Sequence, residues 1–200
     1  MYIPKPFNVE LSQSLNFIRA YPFASITTTE PLQATHVPLT LIENQNGTLL
    51  LEGHVARANP HYKCFDGREA LCIFTGPHAY ISGLDYEKGP AVPTWNYTTV
   101  HVTGTIARLP EEQNRLVALR MLSHYEPDHT EHQSVYNDAY IDRLSKAIVS
   151  FHISVSNLQG KFKLGQHRSE ADQIKTRERL AASDHYEDKA LAQFISQHQN

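Results

Sequence analysis

Residues 36–56, HVPLTLIENQNGTLLLEGHVA, determine the fold expected of this chain. Three apolar residues alternate with His, Pro and Thr, the period-two pattern of a half-buried strand: Val37, Leu39 and Leu41. Asn-Gln-Asn-Gly at 44–47 is a turn sequence, so 48–56 is predicted to return as the second strand of a β-hairpin. Pro38 indicates an edge or a bulge, because proline cannot donate a ladder hydrogen bond.

The rest of the chain predicts further strands interrupted by short helices. Strands are expected at 24–29, 70–75, 100–106 and 149–156, and helices at 8–20 (capped by Asn8), at 58–66, after Pro110 and at 138–146. The resulting class is α+β, an antiparallel sheet or barrel with peripheral helices. A domain over 1–168 precedes a charged helical arm, 169–200, whose expected docking residues are Ile174, Leu180, Leu191, Phe194 and Ile195.

Composition restricts the classes of partner and compartment. The formal net charge of −3 gives no global field that attracts nucleic acid or an anionic membrane. Cys64 and Cys72 are too few for a disulfide scaffold, and their spacing fits neither a zinc nor a redox motif. No run of eighteen apolar residues and no signal-peptide pattern occurs, so a cytoplasmic protein without a membrane span is expected.

Two segments carry the residue types of a binding site. Residues 53–60, Gly-His-Val-Ala-Arg-Ala-Asn-Pro, lie where a strand gives way to a helix, and Arg57 there suits a phosphate. An ordinary surface salt bridge and a helix cap explain the same residues equally well. Residues 93–100 place the single tryptophan beside Asn96 and Tyr97, a mixture that fits a flat heterocycle. A core plug explains that composition too.

Two other segments are weaker candidates. The basic stretch 160–168, GKFKLGQHR, would suit an anionic ligand or nucleic acid, although a solvated loop explains it as well. His129 and His132 would place two imidazoles near a metal, but no third ligand follows at a recognised spacing. No metal site is therefore predicted, and no residue is assigned a catalytic role.

Six blocks in order closely resemble the PaiB family, described as FMN-binding negative transcriptional regulators. They are MYIP at 1–4, ATHVPL at 34–39, GHVARANP at 53–60, FTGPHAYIS at 74–82, VPTWNY at 92–97 and KFKLGQ at 161–166. The resemblance implies an FMN-binding split barrel that forms a homodimer with flavin at the subunit interface. A cytoplasmic repressor that contacts DNA is implied by the family alone, because no helix-turn-helix is visible in this sequence.

The resemblance also implies which residues contact the flavin. The phosphate and one edge of the ring would be held by Thr35, His36, Val37, Pro38, His54, Arg57, Ala58 and Asn59. The partner subunit would cover the ring with Trp95, Asn96, Tyr97 and Thr98, and Lys163 and Gln166 are weaker candidates for its polar edge. Two departures from the family pattern are Gly83-Leu84-Asp85, where Pro-Ser-Trp is usual, and Gly165 with His167, where Ser and Asn are usual.

Two further functions stay open on the sequence alone. A flavin-dependent oxidoreductase, such as a flavin reductase or an enzyme like pyridoxamine-phosphate oxidase, would use His54, Tyr97 and His101 as polar groups near the ring. Haem binding, as in split-barrel haem-utilisation proteins, is suggested by twelve histidines. Whether the protein is an enzyme is left undecided.

Overall fold

A computed structural model describes residues 1–87 and 91–198. The strands are β1 Asn8–Val9, β2 Phe23–Thr29, β3 Leu32–Pro38, β4 Thr40–Glu43, β5 Leu49–Ala56, β6 Arg68–Ile81, β7 Thr94–Arg108 and β8 Ile148–Lys163. The α-helices are α1 Leu11–Ala20, α2 Asn114–Tyr125, α3 Asp138–Lys146, α4 Glu170–Ala182 and α5 Tyr186–His198. Short 3₁₀ helices include Pro60–Cys64 and Gly83–Asp85.

The strands form one sheet with the order β3-β2-β6-β7-β8-β5-β4, and β1 pairs with β8. Each strand pair of known register is antiparallel. The predicted hairpin is confirmed from Thr40 onward, since Thr40 lies opposite Glu52 and Glu43 opposite Leu49. Residues 36–38, expected in the same strand, instead end β3 and pair with β2. In the part of the chain that is described, β3 and β4 end the hydrogen-bonded order, so the sheet is not closed. Pro38 ends the edge strand β3, where its missing N–H is tolerated.

The chain divides into two compact units. One comprises Ile18–Phe74 and Val102–Leu158, and we call it the hairpin unit. Alternate residues of its strands fill its core, for example Leu51 and Val55 on β5. Phe65 packs edge-on against Phe151, with ring centroids 5.1 Å apart. A side chain at Gly53 would clash with Leu39 and with Phe151, so this glycine lets two strands pack closely.

The second unit comprises Met1–Phe17, Thr75–His101 and Gln159–Asn200, and we call it the terminal unit. Its core is aromatic: Phe162 lies 5.1 Å from both Phe17 and Phe194, measured between ring centroids. Leu180 and Leu191 bury the apolar faces of α4 and α5. Ser169 caps α4 by accepting a hydrogen bond from the Asp172 N–H.

Two local predictions are wrong. The helix expected over 8–20 begins at Leu11, because Asn8 pairs with Lys161 in the sheet instead of capping the helix. Ile174 is exposed, whereas the other four docking residues predicted for the arm are buried. Across residues 1–87 and 91–198, no helix combines the length and the apolar character that crossing a bilayer requires. The predicted domain boundary at 168/169 stays a prediction.

Candidate functional site

Two sequence-predicted residues of the hairpin unit, Thr35 and Asn59, contact a buried histidine, His61. Its Nδ1 lies 2.9 Å from the Thr35 hydroxyl, and its Nε2 lies 2.9 Å from the Thr28 hydroxyl. Thr28 donates its own proton to the Pro31 carbonyl, so it accepts from His61 Nε2–H. A neutral imidazole then accepts at Nδ1 from Thr35. Burial lowers the pKa of His61, which favours this neutral state.

Asn59 joins this network from the beginning of the 3₁₀ helix Pro60–Cys64. Its Oδ1 accepts from the His61 N–H at 3.0 Å, and its Nδ2 donates to the Thr35 hydroxyl at 3.2 Å. The structure thus brings together Thr35 and Asn59, two residues that are 24 positions apart. We call Thr28, Thr35, Asn59 and His61 the His61 network. It rigidly orders the corner where β5 leaves the sheet.

Stability is expected to fall as the pH is lowered from about 6.5, because the pKa values of His61 and His54 are lower in the folded chain than their ordinary 6.5. Between the folded and unfolded pKa values the unfolded chain binds more protons, so acid favours unfolding. Thermal melts between pH 8 and pH 5 measure this slope, and His61→Gln should reduce it. An unchanged slope in that variant would contradict the assignment.

Arg57 directly follows β5, close to this network in sequence. Its guanidinium is hydrogen-bonded to other groups of the protein. Nη1 pairs with Glu111 at 2.8 Å, Nε donates to the Lys146 carbonyl at 2.8 Å, and Nη2 donates to the Ile148 carbonyl at 3.2 Å. The adjoining cavity of about 320 Å³ also contains Arg108, which is paired with Asp66. Its two guanidinium charges therefore already face carboxylates.

His54 lies on the opposite face of β5 from the core residues Gly53 and Val55. Its Nδ1 is buried and has no hydrogen-bond partner within the described residues. Burial lowers the pKa of His54, while the nearby Glu52 carboxylate partly opposes that shift. The ring lines a cavity beneath α2 and α3 rather than joining the His61 network.

The remaining candidates of the hairpin unit differ in exposure. Val37 is a core residue, whereas His36 is exposed and stacks on Phe23 with ring centroids 6.3 Å apart. Pro38 is half-buried at the end of β3, and Ala58 is exposed in the turn after β5. Of this group, the exposed pair on β2 and β3 offers a flat surface to a ligand or a partner subunit.

In the terminal unit, Trp95 belongs to an exposed aromatic group with His78 and Tyr80. The Trp95 ring centroid lies 5.7 Å from that of His78 and 6.2 Å from that of Tyr80. Trp95 is 48% exposed and Tyr80 is 51% exposed, so neither is the core plug that composition allowed. His78 Nδ1 is buried without a hydrogen-bond partner in the described chain. We call His78, Tyr80 and Trp95 the Trp95 group.

The residues that follow Trp95 are mostly buried. Asn96 and Thr98 face inward, and the Thr98 hydroxyl donates to the Pro77 carbonyl at 3.0 Å. Tyr97 is half-buried and lies under the Lys161 ammonium, which is 5.2 Å from the ring centroid. These three side chains therefore support the strand that presents Trp95.

Lys163 connects β8 to the beginning of β7 in this unit. Its Nζ donates to the Thr94 hydroxyl and to the Trp95 carbonyl. Its pKa is lowered, first by burial and then by the neighbouring charges of Lys161 and Arg168. By contrast, Gln166 closes its own turn by bonding the Leu164 N–H and the Phe162 carbonyl.

A cavity of about 430 Å³ beside Lys163 is lined by Pro93, His167 and Arg168 as well. No carboxylate lines it among the described residues. Arg168 stacks over the Tyr86 ring at 4.3 Å, and its buried Nε has no hydrogen-bond partner in the described part of the chain. The positive charge of Arg168 contributes to lowering the pKa of Asp172. This basic cavity can accept an anion.

The sequence analysis assigned no site role to four residues that the geometry brings into these sites, namely Thr28, His61, His78 and Tyr80. Arg168 belongs to the basic stretch 160–168 that was proposed for an anionic ligand. A usable signal existed for His78 and Tyr80, since they alternate along one strand in the block FTGPHAYIS. No local signal marks Thr28 or His61, because their pairing depends on long-range contact.

The side chains of the terminal unit fit a flavin. The exposed rings of the Trp95 group provide an aromatic wall, and His78 Nδ1 is an unpaired polar atom beside it. The model of a family described as "Putative FMN-binding domain" matches residues 1–157. This chain belongs to that FMN-binding family. The cofactor of this chain is therefore FMN.

Relatives agree with the family assignment. The "Protease synthase and sporulation protein PAI 2" of Bacillus subtilis is 35% identical over 98% of this chain and 96% of its own length. The resemblance to the PaiB family is thereby confirmed. An uncharacterised protein of Emericella nidulans, AN0679, is 29% identical over 82% of this chain and 83% of its own length.

Solved structures share the fold at low sequence identity. A "FAD and Heme binding protein" from Mycobacterium smegmatis has a TM-score of 0.58 at 13% identity, covering 82% of this chain and 77% of that one. The "Flavocytochrome Anf3" from Azotobacter vinelandii has a TM-score of 0.57 at 12% identity, covering 86% and 80%. The predicted α+β, antiparallel split-barrel class is confirmed.

Proposed function

We propose that this protein is a PaiB-type regulator that binds FMN at the interface of a homodimer and represses transcription in the cytoplasm. The observation that carries the flavin position is the half-exposed Trp95 group with its unpaired His78 Nδ1. Large exposed aromatic side chains on a folded surface are typical of a ligand or subunit contact. Bound FMN would supply a redox-active ring.

Each candidate segment has a part in this proposal. The Trp95 ring stacks on the flavin, and His78 forms a hydrogen bond with the polar edge of the ring. Asn96, Tyr97 and Thr98 hold the strand in place, and Lys163 fixes its first two residues. In the partner protomer, Thr35 and Asn59 shape the corner for the phosphate, while Arg57 provides charge there. His36, Val37, Pro38, Ala58 and Gln166 are further candidate positions of the same site, whereas His54 lines the cavity beneath α2 and α3.

Replacing Arg57 by alanine is expected to weaken FMN binding about tenfold and to leave riboflavin binding unchanged, because riboflavin lacks the phosphate. Titration of the purified protein with each flavin, followed by flavin fluorescence, measures both dissociation constants. Glu111→Gln is the matched control: it removes the acid but keeps the guanidinium, so FMN affinity should be retained or increase.

The alternative position for the FMN phosphate is the basic cavity of the terminal unit, beside Lys163 and Arg168. If Arg168→Ala, and not Arg57→Ala, selectively weakens FMN, the phosphate lies beside Lys163 and Arg168. Equal weakening of FMN and riboflavin by Arg57→Ala would show that Arg57 only supports the fold. Circular dichroism melts of each variant separate lost folding from lost binding.

Homodimerisation and repression are tested separately. Sedimentation equilibrium of the flavin-loaded protein should give twice the mass of one chain, and monomer would contradict the interfacial site. A gel-shift assay at low salt with promoter DNA should show retardation in at least one flavin redox state. No shift in either state would overturn direct repression but leave flavin binding intact.

A further inference from the structure

The hairpin unit contains a cavity of about 540 Å³ beneath α2 and α3, within the size range of small-molecule sites. His54 forms part of its floor, and Met121, Tyr125, Tyr136 and Tyr140 are among its lining residues. The lining is mainly apolar and aromatic. A largely apolar and aromatic lining of this size suits an organic occupant.

Tyr136 and Glu126 in this lining pair with each other. The Tyr136 hydroxyl donates a hydrogen bond to the Glu126 carboxylate at 2.6 Å, so this acid of the lining already has a partner. Burial raises the pKa of Tyr125, so its phenol stays uncharged. The buried Nδ1 of His54 has no hydrogen-bond partner within the described residues.

The charge of the lining defines the class of ligand. Among the described residues that line the cavity there is no lysine or arginine, so a phosphate or carboxylate would find no counter-charge. A neutral imidazole offers one donor and one acceptor. A mono- or bicyclic aromatic molecule with one hydroxyl or N–H would fill the apolar space and pair with His54.

We propose that this cavity binds a small uncharged aromatic molecule carrying one hydrogen-bonding group, and that His54 recognises that group. The lining of this cavity shares no residue with the Trp95 group. His54 is thereby assigned a role that is independent of FMN. The inference does not depend on whether the protein dimerises or contacts DNA.

Three probes of similar shape test this class by equilibrium dialysis with the full chain. We expect 2-naphthol to bind about tenfold more tightly than naphthalene, because one hydrogen bond contributes about 1.4 kcal/mol. Naphthalene-2-sulfonate should not bind, since its charge has no partner. His54→Leu should equalise the affinities for naphthol and naphthalene while retaining the shape of the cavity.

Filling the cavity provides the second test. Met121→Trp and, at a more exposed position, Leu144→Trp should abolish naphthol binding and leave FMN titration unchanged. The absence of saturable naphthol binding in the wild type, or its persistence in both folded variants, would overturn the proposal. If naphthol competes with FMN, or both variants lose FMN, the cavity is part of the flavin site and the separate ligand is excluded.

Discussion

Trp95→Leu is expected to weaken FMN and riboflavin binding alike, by roughly 10- to 100-fold, since aromatic stacking on a flat heterocycle contributes about 1–3 kcal/mol. The effect should be equal for the two flavins because the phosphate is not involved. Trp95 is 48% exposed beside His78 and Tyr80, so its removal leaves no core cavity. Flavin fluorescence on titration measures both constants without relying on the only tryptophan.

Two variants control for this effect. Trp95→Phe retains a ring and should recover most of the affinity, whereas Tyr186→Leu removes another exposed aromatic residue, on α5, and should change nothing. Wild-type affinity in Trp95→Leu would show that the flavin ring does not lie on the Trp95 group. Binding of flavin elsewhere in the family fold would then be required.

Replacing Arg120 by methionine is expected to lower the free energy of unfolding by about 2–3 kcal/mol. Glu52 is only 2% exposed and accepts from Arg120 at 2.6 Å and from His152 at 2.7 Å. Without Arg120 its buried carboxylate keeps a single partner. The arginine itself is 44% exposed, so solvent reduces the loss below that of a fully buried pair. Thermal denaturation should shift downward by roughly 5–10 °C.

Arg115→Met is the matched control on the same helix. Arg115 pairs with Asp138 and Asp142 at the surface, where both acids are largely exposed. Its replacement should change stability by less than about 1 kcal/mol. Equal melting temperatures for the two variants would contradict a structural role for the buried Glu52.

Strand positions could be read from the sequence because alternation is a local property. The pattern of Val149, Phe151 and Ile153 predicted β8 correctly, although the strand runs on to Lys163. Asn8 shows the limit of this reasoning. Its cap-like chemistry suggested a helix, but a long-range partner, Lys161, placed it in the sheet.

The candidate site, too, was only partly predictable from the sequence. Six blocks in register indicated the flavin, and the family match agrees with that prediction. A salt bridge of Arg57 was one of two open interpretations, but the sequence did not identify Glu111 and two carbonyls as its partners. It also did not show that His54 lines a cavity. Side-chain partners on distant segments decide both facts.

The sequence by itself determined the hairpin that begins at Thr40 and the flavin family, because periodicity, turn residues and ordered blocks are carried by neighbouring positions. Only the tertiary structure decided which side chains remain available to a ligand. Thr35, Asn59 and His61 satisfy one another across the fold, while the Trp95 group stays exposed. Hydrogen bonds and burial between residues far apart in the chain are properties of the folded molecule, and local sequence does not encode them separately.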